Sequence, residues 1–413
     1  MSVSIIDKKK CCGCTACYNI CPVHCISMEV NKEGFLYPVV NNEQCIECRM
    51  CEKSCIAIGD NEVTNELLTS YAALNKNNAE RKNSSSGGIF ILLAEKVISA
   101  GGVVFGAAMS EDNRAVHHIE IDNMDEISRM MGSKYLQSSL EDVLTKIKFE
   151  LEKGRTVLFT GTPCQINGLK KYLIKPYDNL ILVDIICHGV PSPQVWKSYT
   201  NYIENRYCST IKEVSFRYKK TCLEKIGIKP LYNGDREVFI ANSKNSFMRM
   251  FLKNYCLRES CYQCVSKLIK GSDITLGDFW GVEESAPEMS DGMGTSIVFV
   301  RTEKGMALFE SIKEFVKEKE VTYQSAVKHN WAEYKSVPRP VQRDVFFKDL
   351  ELLPFSQMEK KYTPKPTLRK KIVTFTETVI YNTKLMIRGE SMHNEYCMRI
   401  VFKNKNDLKN FRR

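Results

Sequence analysis

Two groups of four cysteines near the N-terminus share the spacing Cys-x2-Cys-x2-Cys-x3-Cys. The first group is Cys11, Cys14, Cys17 and Cys21, and the second is Cys45, Cys48, Cys51 and Cys55. Three thiolates on one tight loop suit three iron corners of a 4Fe–4S cubane, and in ferredoxins with two clusters the fourth cysteine binds the other cluster. The spacing therefore predicts two 4Fe–4S clusters, with Cys21 and Cys55 exchanged between the groups.

Zinc knuckles are the alternative interpretation of these cysteines. A zinc site needs only two Cys-x2-Cys pairs, so the third and fourth cysteine of each group would have no use. Eighteen cysteines in a chain with no recognisable export signal also favour cluster ligation over disulfides. We therefore expect clusters, and we expect Cys12 and Cys25, which lie outside the spacing, to be buried structural thiols.

A third group of cysteines lies far from the first two. Cys256, Cys261 and Cys264 have the Cys-x4-Cys-x2-Cys spacing of a plant-type ferredoxin loop, which needs one more cysteine from elsewhere. Cys164 and Cys187 both follow apolar strands, where α/β sheets place ligands. A third 4Fe–4S cluster competes here with a zinc site or core thiols. As fourth ligand we favour Cys187, because Cys164 sits at a helix start that suits a phosphate or flavin.

Three short loops containing glycine could hold a dinucleotide pyrophosphate on backbone N–H groups. They are Ser86-Gly87-Gly88, Gly132-Ser133-Lys134-Tyr135 and Thr160-Gly161-Thr162. None of them has a GxGxxG or Walker spacing, so each could equally be a turn or a helix cap. Asp278 could likewise be a buried polar cap or a cofactor contact.

The elements that must position these residues change character along the chain. Residues 26–30 and 35–40 predict a hairpin inside the cysteine-rich segment. From residue 84, helices at 89–98, 140–151 and 163–173 alternate with strands at 103–106, 156–160 and 180–186. The predicted fold class is α+β or α/β, in which a ferredoxin-like two-cluster domain precedes a mixed α/β flavin-binding core and a basic C-terminal extension.

Domain boundaries follow from these changes and from the charge distribution. We predict a two-cluster domain at 1–60, the two parts of the core at 68–150 and 151–335, and the basic extension at 336–413. The chain of 413 residues has a net charge of +10, and residues 359–413 alone contribute +9. No run of about 18 apolar residues exists, so we expect no membrane-spanning helix and a cytoplasmic protein. The tail could still contact a membrane surface, and without a clear motif it predicts no nucleic-acid partner.

Six stretches give the chain a resemblance to the coenzyme F420 hydrogenase/dehydrogenase beta subunits. They are residues 84–90, 132–137, 158–169, 184–193, 256–264 and 273–281. Similar proteins bind FAD and a 4Fe–4S cluster in this region. The resemblance implies that Ser86, Gly87, Gly88, Ser133, Lys134, Tyr135, Thr160, Gly161, Thr162, Cys164 and Asp278 lie at or near FAD, and it strengthens the prediction of a third cluster.

The resulting functional expectation is a flavin-dependent iron–sulfur oxidoreductase. Electrons would pass between a small-molecule hydride donor or acceptor and a ferredoxin or other redox partner protein. The alternative is a subunit without a substrate site that connects a separate catalytic partner to a ferredoxin pool. Direction of flow does not follow from the ligands, since cluster potentials span roughly −700 to +450 mV.

The iron content of the chain tests the three cysteine groups together. After anaerobic reconstitution we expect about twelve iron atoms per chain, four for each cubane, by iron and sulfide analysis. A stable content of about eight would remove the third cluster and leave the first two. Zinc in place of iron would contradict the cluster assignment altogether.

Overall fold

The computed structural model describes residues 7, 9–58, 65–219 and 226–364. Contacts divide the chain into two compact units, Met1–Glu359 and Lys360–Arg413. The second unit begins where the positive charge concentrates. The basic tail from residue 365 onward, with its predicted surface contact, lies outside the described residues. In the part of the chain that is described, no helix is long and apolar enough to cross a membrane.

Strands and helices alternate through most of the chain. The strands are β1 (Ile26–Val30), β2 (Leu36–Val40), β3 (Thr69–Asn75), β4 (Val103–Met109), β5 (Val116–Ile121), β6 (Ser138–Ser139), β7 (Val157–Gly161), β8 (Leu180–Ile185), β9 (Ile211–Lys219), β10 (Ile226–Tyr232), β11 (Arg236–Glu237), β12 (Ile240–Ala241), β13 (Ile274–Asp278), β14 (Ser296–Val300) and β15 (Val316–Glu320). The α-helices are α1 (Ala16–Ile20), α2 (Met50–Lys53), α3 (Asn78–Asn83), α4 (Ile89–Ser99), α5 (Val143–Glu152), α6 (Pro163–Leu173), α7 (Pro193–Tyr207), α8 (Ser246–Leu252), α9 (Val282–Ser285), α10 (Glu303–Glu310), α11 (Tyr323–Val327), α12 (Arg343–Leu352) and α13 (Phe355–Tyr362). The predicted hairpin and strand–helix alternation are confirmed, with shifts of a few residues at element ends.

Nine of the described strands form one mixed sheet in the order β15-β3-β14-β13-β8-β7-β4-β5-β6. Its centre is parallel, since β4, β7, β8 and β13 run in one direction. The pairs of β14 with β13, of β3 with both β14 and β15, and of β5 with β4 are antiparallel. The predicted α/β core with antiparallel additions is confirmed. Because parallel strands end at the same edge, the loops after β7, β8 and β13 meet there.

Helices cover both faces of the parallel strands. Leu158 in β7 enters an apolar core that includes residues of α4 and α10. Its neighbour Phe159 enters a second core, with residues of α5 and α6, on the other face. Successive strand residues point to opposite faces, so burial on both faces requires an unbroken apolar run. This explains the composition of β7 and β8.

A second, antiparallel sheet of β9, β10, β11 and β12 lies within the described residues. Its longest strand, β9, is anchored by Phe216, whose ring centroid lies 4.7 Å from that of the fully buried Trp196 of α7. The anchor fixes the direction of the β9 side chains that follow, Arg217 and Lys219.

The cysteine-rich segment packs against α6 at a glycine. Cys14 and Ala16 belong to the same apolar core as α5 and α6. A Cβ atom at Gly168 would lie only 2.6 Å from Cys14 Cβ and 2.8 Å from Cys14 Sγ. Only glycine therefore allows the first cysteine motif to approach the helix this closely.

The start of α12 ties the hairpin turn to the core. Arg343 is buried and donates to both carboxylate oxygens of Glu33, at 2.9 and 2.7 Å, and to the carbonyl of Leu257. The sequence analysis placed this residue in the basic extension, whereas α12 lies inside the unit that ends at Glu359. The boundaries predicted at residues 60, 150 and 335 stay predictions.

Candidate functional site

The two cysteine motifs share an unusual backbone conformation. Gly13 and Glu47, which are equivalent positions, have φ of 71° and 53°. Thr15 and Arg49, also equivalent, have φ of 60° and 61°, and a short helix follows each of them. Three of these four residues are not glycine, and such residues seldom adopt positive φ. The repeated geometry indicates that both loops are wound to present their thiols in the same way.

The fourth cysteine of each motif lies with the other motif. Cys21 lines one cavity together with Cys45, Cys48 and Cys51 of the second motif and with Cys25. On the other side, burial raises the pKa of the Cys17 thiol, and the neighbouring Cys11 and Cys55 thiols raise it further. The exchange of Cys21 and Cys55 as cluster ligands stays a prediction. Cys25, whose sulfur lies 3.4 Å from that of Cys21, belongs to the same group of thiols.

A second cysteine cavity, which is open to solvent, lies beyond the ends of β7 and β8. Five thiols line it: Cys12, Cys164, Cys187, Cys261 and Cys264. Cys164 and Cys187 were alternatives in the sequence analysis, and the structure brings both to the cavity. Both cysteines can therefore be ligands of the same cluster, because β7 and β8 are parallel neighbours and the loops that follow them lie at the same edge of the sheet.

Two cysteines differ from their predicted surroundings. Cys256, predicted to be the first member of the third set, is fully buried and is absent from the cavity lining, and its carbonyl accepts from the Ser192 N–H. Cys12, predicted to be an isolated structural thiol, reaches the cavity, where its hydrogen bond with Cys164 is the main cause that raises the pKa of Cys164. The cysteine spacing does not reveal where Cys256 and Cys12 lie, because spacing carries no information on side-chain direction.

The thiols of this cavity are held in an environment that disfavours free thiolates. Burial raises the pKa of Cys187 to about 12 and also raises the pKa of Cys261 and Cys264. The Val190 N–H points at Cys261 Sγ, at 3.4 Å, and Lys267 lines the same cavity. Buried thiols of this kind ionise when a metal replaces their protons.

Within the described ranges, no three or more His, Cys, Asp or Glu side chains converge closely enough to hold a single metal ion. A cubane differs from one ion in that each thiolate binds its own iron corner, so its cysteines surround a space. The two cysteine-lined cavities are compatible with that arrangement.

A cationic group lies under the loop that precedes α4. Arg217 of β9 is mostly buried; it donates to the Ser85 carbonyl at 3.1 Å and pairs with Asp278 at 2.8 Å. The Ser133 N–H and hydroxyl both contact Ser85 Oγ, at 2.6 and 2.9 Å. Tyr135 OH lies 3.5 Å from Arg217. Two of the predicted loops and Asp278 are thus brought together, and Asp278 acts as the partner of an arginine.

Two lysines lie in the segments that form this group; Lys219 is buried and Lys134 is half-buried. Lys219 donates to the carbonyls of Arg81 and Ser86, at 2.8 and 2.7 Å, and burial lowers its pKa to about 8. Lys134 donates to the Met131 carbonyl at 2.9 Å, and burial lowers its pKa to about 7. Among the described residues neither lysine forms an ion pair, and the buried Nε of Arg217 has no hydrogen-bond acceptor. An anion at the Ser85–Ser86 loop would satisfy both Arg217 and Lys219, which contact the carbonyls of that loop.

The glycine-loop N–H groups are largely used by the protein itself. Gly87 N donates to Ser296 Oγ at 2.9 Å, and Gly88 adopts φ 79° to start α4. Thr162 N donates to Gln165 Oε1 at 3.0 Å at the start of α6. The Thr160 carbonyl accepts from His118 Nε2, and Gly161 ends β7. The cations nearby, more than these N–H groups, give the site its attraction for an anion.

The sequence analysis missed Arg217, Lys219 and Ser85. A signal for the first two was present, because cations at alternate positions of a strand point to the same face. In β9 both of these cations are buried, which is rare for charged side chains, and only Arg217 has a carboxylate partner, Asp278.

Residues 154–325 match the family model for the C-terminal part of the beta subunit of coenzyme F420 hydrogenase/dehydrogenase. This segment is similar to that beta-subunit family. The resemblance predicted from the sequence is thereby confirmed for four of its six stretches; those at 84–90 and 132–137 lie before the matched residues. The beta-subunit segment contains four of the five thiols of the second cavity, together with Arg217, Lys219 and Asp278.

Two relatives extend the comparison. The chain is 22% identical over 351 residues to the coenzyme F420-dependent sulfite reductase of Methanocaldococcus jannaschii, covering 82% of this chain and 51% of that protein. The chain thus spans about half the length of the curated relative it matches. A chain of the F420-reducing NiFe hydrogenase complex from Methanosarcina barkeri is similar with a TM-score of 0.47 and 16% identity, over 65% of this chain and 88% of that one. The family match and the reductase relate the chain to oxidoreductases, as predicted.

The pH dependence of stability tests the environment of Lys134. In the unfolded chain a lysine keeps its proton to about pH 10.4, whereas in the fold the pKa of Lys134 is lowered to about 7. Between these values the unfolded state binds more protons, so stability should rise with pH. Lys134→Met should therefore be more stable than the parent at pH 7, by up to about 4 kcal/mol, with the difference shrinking toward pH 10.

Urea denaturation of the anaerobically purified chain at several pH values measures this difference. The matched control is Lys96→Met, because Lys96 is an exposed residue of α4. The difference in unfolding free energy between Lys96→Met and the parent should not change with pH. A Lys134→Met difference that stays constant from pH 7 to 10 would contradict the desolvated, unpaired state of Lys134.

Proposed function

We propose that the chain is an FAD- and iron–sulfur-dependent oxidoreductase. It moves electrons between a two-electron hydride carrier or substrate and a ferredoxin-type partner protein. The observation that carries this proposal is a shared edge: the five-thiol cavity and the cationic group around Ser85 both lie where the parallel strands end. The N-terminal cysteine motifs pack onto the same cavity through Cys12.

The third cluster is assigned to Cys164, Cys187, Cys261 and Cys264. These four thiols line one cavity, and the chemistry of the donor set is that of a cubane site. Val190 donates a backbone N–H to one of the sulfurs, which favours a ligated thiolate over a free thiol. The N-terminal segment would hold two more clusters, one on Cys11, Cys14, Cys17 and Cys55 and the other on Cys45, Cys48, Cys51 and Cys21.

The cationic group is assigned to the phosphates of FAD. The unsatisfied Nε of Arg217 and the two unpaired lysines provide what a pyrophosphate needs. Asp278 and Ser85 hold the Arg217 side chain in place, and Ser133 fastens its loop to Ser85. Flavin chemistry supplies the exchange between a hydride donor and one-electron carriers.

The outward end of the electron path is assigned to the second cysteine motif. Cys48 is exposed, and Ile46 and Val23 beside the same cavity are 61% and 38% exposed. A cluster there would be close to solvent, whereas Cys14 of the first motif is buried against Gly168 of α6. A ferredoxin-type partner would exchange electrons at this surface.

Coenzyme F420 is the first hydride carrier to test. Its name occurs in the description of the matched family and in the name of the sulfite reductase relative. At 22% identity, however, the substrate pocket of this chain can differ, so nicotinamide carriers belong in the same screen.

Substitution of single cysteines tests the third cluster. We expect Cys164→Ser and Cys187→Ser each to lose about four irons, since a cubane is destabilised when any ligand is removed. Cys256→Ser and the exposed Cys208→Ser are the matched controls and should retain the full iron content. If only one of the Cys164→Ser and Cys187→Ser proteins loses iron, only that cysteine is a cluster ligand. If Cys256→Ser loses iron, the ligand set proposed here is wrong.

A hydride-donor assay tests the enzyme itself. The reconstituted chain should pass electrons from reduced F420, or from NADH or NADPH, to a ferredoxin or a viologen dye. Arg217→Gln should bind FAD about tenfold to a hundredfold more weakly, because one charge-assisted contact is lost. Lys96→Gln, far from the site, should bind FAD normally. A fully loaded chain that accepts electrons only from a partner protein would favour the electron-transfer alternative.

A further inference from the structure

Arg258 is a buried cation whose partners carry no negative charge. Its side chain is fully buried, and the guanidinium donates to the Cys11 carbonyl, to Gln137 Oε1 and to the Leu36 carbonyl, at 2.7, 2.8 and 2.8 Å. In the described part of the chain, no carboxylate contacts it. Burying a charge without a counter-charge is unfavourable even when hydrogen bonds are complete.

The other fully buried arginines of the described residues have carboxylate partners. Arg81 pairs with Asp291, and Arg343 pairs with Glu33 and Glu259. The chain therefore supplies carboxylates to buried guanidinium groups elsewhere, and Arg258 is the exception. Its counter-charge must come from another group in the site.

Two sets of cysteines lie next to this guanidinium. Nη2 is 3.6 Å from Cys11 Sγ in the first motif. The same side chain also lines the cavity of Cys164, Cys187, Cys261 and Cys264. Arg258 thus stands between the first N-terminal cluster and the third cluster of the proposed function.

The surroundings keep the guanidinium in this position and exclude water. The rings of Tyr37 and Phe35 lie 4.1 and 5.4 Å from its central carbon. A Cβ atom at Gly13 would come within 2.9 Å of Nη1, so glycine is required in the first motif for the arginine to approach. A water-poor environment strengthens the interaction of a fixed charge with its neighbours.

We propose that Arg258 is the shared counter-charge of two clusters, the one on Cys11, Cys14, Cys17 and Cys55 and the one on Cys164, Cys187, Cys261 and Cys264. The inference rests on the proposed function, since it requires both clusters. A fixed positive charge stabilises the reduced, more negative form of each cluster and so raises both reduction potentials.

Redox titration of the holoprotein, followed by electron paramagnetic resonance, tests this role. In Arg258→Gln the reduced-to-oxidised ratio of both clusters, at a fixed ambient potential, should fall about tenfold, or about 59 mV for a one-electron couple. The cluster on Cys45, Cys48, Cys51 and Cys21 should keep its potential. Arg258→Lys keeps the charge and should shift both potentials less. Unchanged potentials in a fully loaded Arg258→Gln protein would overturn the inference.

Three further variants separate charge from packing. Arg343→Gln removes another buried arginine that ties the N-terminal segment to the core, and it should leave all potentials unchanged. Lys267 lines the third-cluster cavity, where it donates to the Cys187 carbonyl at 2.5 Å, so Lys267→Met should shift the third cluster alone. Gln137→Glu places a carboxylate beside the intact Arg258 and should lower both potentials. If Arg258→Gln loses iron, a Gln137→Glu protein with unchanged potentials overturns the inference.

Iron analysis of the parent distinguishes the two levels of the proposal. A parent chain with about eight irons, or without iron, contradicts the proposed function itself, and the role of Arg258 falls with it. If the parent has about twelve irons and neither Arg258→Gln nor Gln137→Glu changes the reduction potentials of the two clusters, only the role of Arg258 is contradicted.

Discussion

The parallel pairing of β7 with β8, and of β8 with β13, is the constraint on which the candidate site depends. Parallel neighbours end at one edge, so the loops carrying Cys164 and Cys187 and the strand end at Asp278 meet there although they are far apart in the chain. The loop with Cys261 and Cys264 then closes the cavity from the other side. A one-residue change in the pairing of β7 and β8 would turn alternate side chains to the opposite face.

Buried charge is concentrated where cofactors are proposed. Arg217, Lys219 and Lys134 surround the Ser85 loop, and Arg258 stands between two sets of thiols. Arg217 has the carboxylate of Asp278, whereas Lys219, Lys134 and Arg258 have no carboxylate partner among the described residues, so their charges disfavour the folded chain unless an anionic group is present. Phosphates in the first case and clusters with four thiolates in the second are anionic, so a single electrostatic argument supports both assignments. The unpaired buried cations make the chain less stable without cofactors and favour the binding of anionic groups beside them.

The interface between the cysteine-rich segment and the core depends on close approach. Gly168 and Gly13 are small where Cys14 and Arg258 need the space, and the paired Arg343 and Glu33 hold the hairpin turn nearby. Cys12 consequently reaches the cavity of the core instead of pointing into the N-terminal segment alone. The electron path proposed between the core and the second motif would therefore cross a closely packed interface.

Much of the local structure of this protein could be predicted from the sequence alone. The cysteine spacings, the hairpin and the helices and strands of the core follow from local rules, because ligand loops, turn residues and apolar periodicity act over a few neighbouring residues. The tertiary structure decided which distant side chains share a site. Cys164 and Cys187 line one cavity, Cys12 lines it as well and Cys256 does not, and Arg217 and Lys219 come from β9, a strand of the second sheet. Sequence spacing carries no information on strand order or side-chain direction, and both are set by packing across the whole core.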